Sequence, residues 1–462
     1  MKKITAAMLP LILGMAGCTL YTPKPLATTP SLLRDLPHLV AKADRQPLPD
    51  LASHPVNPDH GLDMTEVEML AVTNNPDLKV VRDERGIAAA QLMAAGILPN
   101  PQLTAGLDHP TSSGPGLVNA FNLGLSYDVG SLITRNASIG AADSAARKVD
   151  WSVLWQEWQV VQKARLLFIQ IASQEKIRQQ LQEYRSLLAD RYQRSSQALA
   201  AGNLTADATS ASLAELQVVS SRLNELERRD SQSRHDLNAL LGLTPEINLN
   251  LTGQINLPKL SGAEVAVFLK ELPQRRPDLL ALQAGYASQE EQFRQAVLAQ
   301  FPALNIGLTR ARDTSGINTT GLGVTLTLPF FDRNQGNIAI ARATRQHLRD
   351  EYQARLDAAY GEAASLEEQI RLATEQHQAT TAALPELESI LKRARSALDA
   401  GNMEFATFAG LQASLFEKRL EALALEQSIL EQRAILQTLV GSDFSMQTVA
   451  PHIRREKEGR TQ

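Results

Sequence analysis

The sequence predicts a mainly α-helical chain with a membrane β-barrel portion, and three observations lead there. The first is a tandem duplication. Ala201-Gly202-Asn203 returns as Ala400-Gly401-Asn402, Leu241-Gly242 as Val440-Gly441, and Leu123-Gly124-Leu125 as Leu322-Gly323-Val324, each 199 residues later. At a spacing of 201, Asn75-Pro76-Asp77-Leu78 is answered by Arg276-Pro277-Asp278-Leu279, and Pro101, Leu103, Gly106, Leu107 by Pro302, Leu304, Gly307, Leu308. The second is helix length. From Ile133 to Leu199 there is no proline and only one glycine, Gly140; at 1.5 Å per residue such a helix is about 100 Å long, more than a compact domain uses. The third is four stretches of about ten residues that alternate apolar with small or polar side chains, the length of a tilted membrane-spanning strand.

Composition supports long helices over an aromatic core, with 5% aromatic residues. A formal net charge of −4 gives no electrostatic case for nucleic-acid binding. Cys18 is the single cysteine, so a disulfide framework and a cysteine-based metal site are both excluded. Lys2 and Lys3, the apolar run from Ile4 to Met15 and the small residues Ala16 and Gly17 form a secretory signal segment, residues 1–17. With Cys18 directly behind it, the segment resembles a bacterial lipobox, with Met15 where Leu is usual. That resemblance implies lipidation of Cys18, and Thr19 in place of Asp implies sorting to the outer membrane. Acyl chains would anchor the protein at about 0.8 kcal/mol per buried CH₂.

The elements follow in order. Residues 18–61 carry eight prolines from Pro23 to Pro58 and read as an extended arm. The first repeat, 62–245, opens with Asp63 as N-cap, is interrupted at Pro76 and runs helically to about Gly96. Leu103, Ala105 and Leu107, then Phe121, Leu123, Leu125, Tyr127 and Val129, mark the two strands of a hairpin. In the long helix, Ile177, Leu181, Tyr184, Leu188, Arg191, Ser195 and Leu199 follow a coiled-coil seam, and Leu216, Val219, Leu223 and Leu226 return it after the Gly202 turn. Trp151, Trp155 and Trp158 share one face and read as packing between helices. A connector, 246–262, leads to the second repeat, 263–441. Its first helical stretch is expected to break near Pro273 and Pro277. Its strands centre on Leu304, Ile306, Leu308 and on Leu322, Val324, Leu326, Leu328, and its seam runs from Leu366 to Leu398 through His377. Pro385 should bend or open that helix. Residues 442–462 form a charged tail.

Four strands cannot close a barrel, and an open edge in hydrocarbon leaves backbone groups unsatisfied. Two protomers would give eight strands, which side chains nearly fill; three would give twelve and a water-filled lumen. The small and polar parity (Gly106, Gly124, Ser126, Gly307, Gly323, Thr325) suits a wet lumen.

The order of helix, β-hairpin and long helical hairpin, repeated, resembles the TolC-type outer-membrane efflux proteins. The likeness rests on Asn75-Pro76-Asp77-Leu78, Arg275-Arg276-Pro277-Asp278-Leu279, the Pro-x-Leu entry to each hairpin, Leu328-Pro329-Phe330-Phe331-Asp332 and the two Ala-Gly-Asn turns. Leu98-Pro99-Asn100-Pro101 and Arg333-Asn334-Gln335-Gly336 resemble the heavy-metal efflux branch. The resemblance implies a homotrimer: duplicated helical hairpins forming an α-barrel across the periplasm, and four strands per protomer completing a 12-stranded barrel among outer-membrane lipids. It also implies docking to a periplasmic membrane-fusion adaptor and an inner-membrane pump of the resistance-nodulation-division type. Gly202, Asn203, Gly401 and Asn402 would then mark the periplasmic hairpin tips, with Asp207, Asp399 and Glu404 near them as candidate gate or ion-selective acids.

No sequence pattern points to catalysis, a cofactor or a metal: H-E-x-x-H, G-x-S-x-G, a P-loop and a helix-opening G-x-G-x-x-G are all missing, and the eight histidines are scattered. The rival reading is a periplasmic coiled-coil lipoprotein acting as a spacer. A spacer has no use for four alternating strands.

Overall fold

A computed structural model describes residues 21–34, 61–112, 114–255 and 257–442. Cys18, the signal segment, most of the proline-rich arm and the tail from 443 lie outside the described residues. Among the described residues, twelve elements follow one order twice. The first repeat holds α1 (Met64–Asn74), α2 (Pro76–Gly96), β1 (Gln102–Asp108), β2 (Ala120–Asp128), α3 (Gly130–Ala200) and α4 (Ala206–Leu240). The second holds α5 (Gly262–Arg275), α6 (Pro277–Leu298), β3 (Leu304–Arg312), β4 (Asn318–Leu326), α7 (Gln335–Asp399) and α8 (Phe405–Val440). At 71 residues, α3 is about 107 Å long.

Local chemistry sets the boundaries. Asp63 closes a capping box with Glu66 at the start of α1, and Ser261 does the same with Glu264 for α5. Asn75 breaks the chain between α1 and α2: its Oδ1 accepts from Leu78 N at 2.9 Å and its Nδ2 donates to the Leu240 carbonyl at 2.9 Å. Arg276 takes this place in the second copy without capping; its guanidinium reaches Asp278 at 2.8 Å and lies 4.9 Å from the Trp155 ring.

The prolines correct the sequence expectation. α5 continues through Pro273 and ends at Arg275, so the only break there is at Pro277. Proline frees the carbonyl four residues back, and that carbonyl, Leu269 O, accepts from the Tyr360 hydroxyl at 2.7 Å. α7 runs helically through Pro385 to Asp399, so that helix does not open at the proline.

The two hairpins join into one antiparallel sheet of order β1-β2-β3-β4, with the repeats meeting at β2–β3. The strands are 7, 9, 9 and 9 residues long, slightly shorter than their alternation suggested.

The largest core sits at the root of the hairpins. Leu62, Val67 and Leu70 pack with Phe168, Ile171, Leu237 and Leu241, each such side chain contributing about 1.5–3 kcal/mol on burial. Next to it, fully buried Trp158 packs on Met69 and Val72 while Trp151 and Trp155 are partly covered, so the tryptophans do pack between helices. Beneath them the ion pair Arg165–Glu68 is buried at 2.8 Å, with Arg165 also reaching Gln437 at 3.4 Å. Of the arm, Leu33 pairs with Leu243 as a parallel bridge. Among the described residues no helix is long and apolar enough to cross a membrane.

Candidate functional site

The sheet carries the first candidate surface. Directly paired residues share a face, so the register aligns Leu103, Leu125, Leu308 and Leu322 in one row across all four strands. These leucines are 68%, 49%, 57% and 72% exposed, where isolated water-soluble sheets bury such a row. Tyr127, Ile306 and Val324 form the row on the helical side, and Leu123 and Phe121 continue the band on β2. From Tyr127 to Phe121 the band is about 20 Å tall. It stops on β3 at Arg310 and Arg312; Arg312 lies 5.7 Å from the Phe121 ring and donates to the Asn119 carbonyl at 2.9 Å. The opposite face is small and polar, with Thr104, Gly124, Thr309 and Gly321 in one row. Among the described residues β1 and β4 each have one neighbour, which leaves two open edges.

The second surface is the far end of the long helices. Arg165 reaches Gln437, Lys176 pairs with Glu426, Tyr184 stacks on Phe416, and Arg191 donates to Gln412. These contacts step down α3 and α8 together, so both turns lie at the same end. Each turn closes its helix with paired backbone bonds. Asn203 N donates to Ala198 O at 2.8 Å and Gly202 N to Leu199 O at 2.9 Å; Asn402 N donates to Ala397 O at 2.8 Å and Gly401 N to Leu398 O at 2.9 Å. This is the Schellman closure, with Gly202 at φ 76° and Gly401 at φ 75°. The root ends repeat it, with Leu243 N on Asn238 O and Ser442 N on Gln437 O. The 199-residue register is therefore a register of helix ends.

The three acids do not form one group. Asp399 is held by Arg395 at 3.2 Å. Asp207 lies exposed in the first turn of α4 with no cation partner among the described residues. Glu404 is the N-cap of α8, but its side chain makes no cap bond, whereas Thr205, at the equivalent place, caps α4 through its hydroxyl. His377 is half-buried along α7, and among the described residues no cluster of three potential metal ligands occurs.

Sequence reasoning missed a network between the two hairpins. Glu215 accepts from the Tyr184 hydroxyl at 2.5 Å and from Arg191 at 2.7 Å, and Arg191 donates to Gln412 at 2.5 Å and sits 5.4 Å from the Phe405 ring. Tyr184 stacks on Phe416 at 3.9 Å. Burial, with the Glu215 carboxylate beside it, pushes the Tyr184 hydroxyl well above the usual phenol range. A signal existed: an arginine in an apolar seam must find an acceptor.

Comparison with known proteins bears on both surfaces. Residues 268–442 match the family described as Outer membrane efflux protein. The cobalt-zinc-cadmium resistance protein CzcC of Cupriavidus metallidurans is 24% identical over 372 residues, 77% of this chain and 84% of the relative. The fold superposes on CusC, known from crystal structures addressing its folding and transmembrane channel formation, with a TM-score of 0.69 at 18% identity, covering 89% of this chain and 99% of that one. It superposes on the Campylobacter jejuni CmeC outer membrane channel with a TM-score of 0.70 at 17% identity, covering 95% and 97%.

Proposed function

We propose that this chain is the outer-membrane duct of a tripartite efflux system, a reading supported by the match of residues 268–442 to the outer membrane efflux protein family and by superposition of 89–95% of the chain on CusC and CmeC. The observation that carries this reading is the exposed leucine row on a sheet with two open edges. A lipid-facing sheet must close, and three copies supply the twelve strands that enclose a wet lumen lined by the small, polar face. The helical hairpins, residues 62–245 and 263–441 less their strands, then form the periplasmic tube. Their level tips around Gly202, Asn203, Gly401 and Asn402 face the adaptor, and an inner-membrane pump supplies the driving force, so this chain performs no chemistry. Lipidation at Cys18 anchors it. Likeness to CzcC favours divalent metal cations as cargo.

At the mouth, Asp207 and Glu404 are the acids free to act on a passing cation, while Asp399 is already neutralised by Arg395. Tight binding would slow passage, so a cation duct needs long-range attraction by carboxylates, not a coordination site.

The test is reconstitution. Protein purified from outer membranes should run as a heat-resistant trimer and conduct ions in planar bilayers, with Asp207→Ala and Glu404→Ala together lowering cation preference. A Cys18→Ala chain that is soluble and monomeric without detergent would favour the spacer reading instead. Loss of the protein should sensitise cells to cobalt, zinc or cadmium.

A further inference from the structure

The internal repeat leaves one helix face without its partner. α6 lies between two long helices. One side meets α7 of its own repeat, through Arg345–Glu290 and the Gln289 bond to Ala341 O. The other side meets α3: Ser288 Oγ donates to Ala141 O at 2.8 Å, a Cβ on Gly285 would stand 3.2 Å from Lys148, and a Cβ on Gly140 would stand 3.1 Å from Glu291. Among the described residues its equivalent, α2, has only the first of these neighbours: it meets α3 of its own repeat through Arg82–Glu157 and Arg85–Asp150. α6 buries Ala281, Ala284, Gly285 and Ser288; the matching residues of α2, at the 201-residue spacing, are Val80, Asp83, Glu84 and Ile87, all exposed. Val80 is 68% and Ile87 60% exposed.

We propose that this face of α2 is covered by α7 of a second copy, in the pose that α3 takes on α6, with Ile87 packed on Ile340 and Glu84 beside His347. The pairing follows from the register. Ala141 and Lys148 of α3 correspond, 199 residues on, to Ile340 and His347 of α7. Ile340 is 65% exposed, and His347 is exposed. Two isoleucines left bare in one chain meet, and a carboxylate meets an imidazole where the intrachain version has a glycine and a lysine. The same mapping turns the β2–β3 pair Ser126↔Gly307 into Thr325 of one copy opposite Gly106 of the next. The contact is heterologous, so it propagates in one sense and closes as a ring. It rests on the channel reading and adds the residues by which copies recognise each other.

Cysteine pairs in the full-length chain test it, because disulfide formation demands Cα atoms within about 7 Å. With copper phenanthroline in air, Ile87→Cys with Ile340→Cys, and separately Gly106→Cys with Thr325→Cys, should shift most of the chain to dimer and trimer bands on non-reducing gels. Each single variant, and Ile87→Cys paired with Leu372→Cys about 48 Å further along α7, should not. A chain that assembles as a trimer and conducts but cross-links only through Leu372→Cys, or through neither pair, overturns this interface and leaves the channel reading standing. A monomer that neither cross-links nor conducts overturns both.

Discussion

The roots and the tips of the two hairpins end their helices in the same way and stand in opposite surroundings. Gly242 and Gly441 at the roots, like Gly202 and Gly401 at the tips, take positive φ between 67° and 76°. A Cβ on Gly441 would come within 2.9 Å of the Trp158 ring, and one on Gly242 within 2.9 Å of the Asn74 carbonyl, whereas one on either tip glycine would meet nothing within 4 Å. Ion pairs divide likewise. Arg165–Glu68 at the root has side chains 8% and 4% exposed; Arg395–Asp399 beside a tip has 58% and 59%. Duplication preserved the backbone closures, while their neighbourhoods became a packed core at one end and a wet surface at the other. The root bears the stability of the fold, and the tips are left free to vary with function.

Substitutions can break that contrast. Arg165→Ala breaks the buried Arg165–Glu68 pair and should destabilise by about 3–5 kcal/mol, read from the denaturant midpoint in detergent. Gly441→Ala adds a clash with Trp158 to left-handed strain and should cost about 3 kcal/mol by the same measurement. Gly202→Ala, with open space around it, should cost only the backbone term of about 1–2 kcal/mol. Arg395→Ala should change stability by less than about 1 kcal/mol while freeing the Asp399 charge, so its effect belongs in cation selectivity. A tip substitution as damaging as Arg165→Ala would show that the tips also carry the fold.

Much of this was legible because it follows local rules. Alternation along Leu103–Leu107 and Leu322–Leu326 marked strands, since side-chain period is fixed by the pleat. Paired glycines at 199 residues marked helix ends, since few other residues accept positive φ. What escaped depends on partners far along the chain. Pro273 sits within a helix because Tyr360, on α7, accepts the task of satisfying the Leu269 carbonyl. Arg191 reads as an intrusion until Glu215 and Gln412 arrive from two other helices. The acids near the tips were visible as residues, yet only coordinates separate Asp399, tied to Arg395, from the other two.

The matched descent of contacts along α3 and α8 also makes the protein a measuring rod. Removing one heptad from α3 alone would move Arg191 about 10.5 Å away from Gln412 and rotate little else. Taking a heptad from all four long helices would keep every pairing and shorten the reach by the same amount. The distance between the sheet and the tips is thus set by the count of residues in the long helices, which must change together on both hairpins to keep these contacts. A partner that must meet those tips inherits its own length from that count.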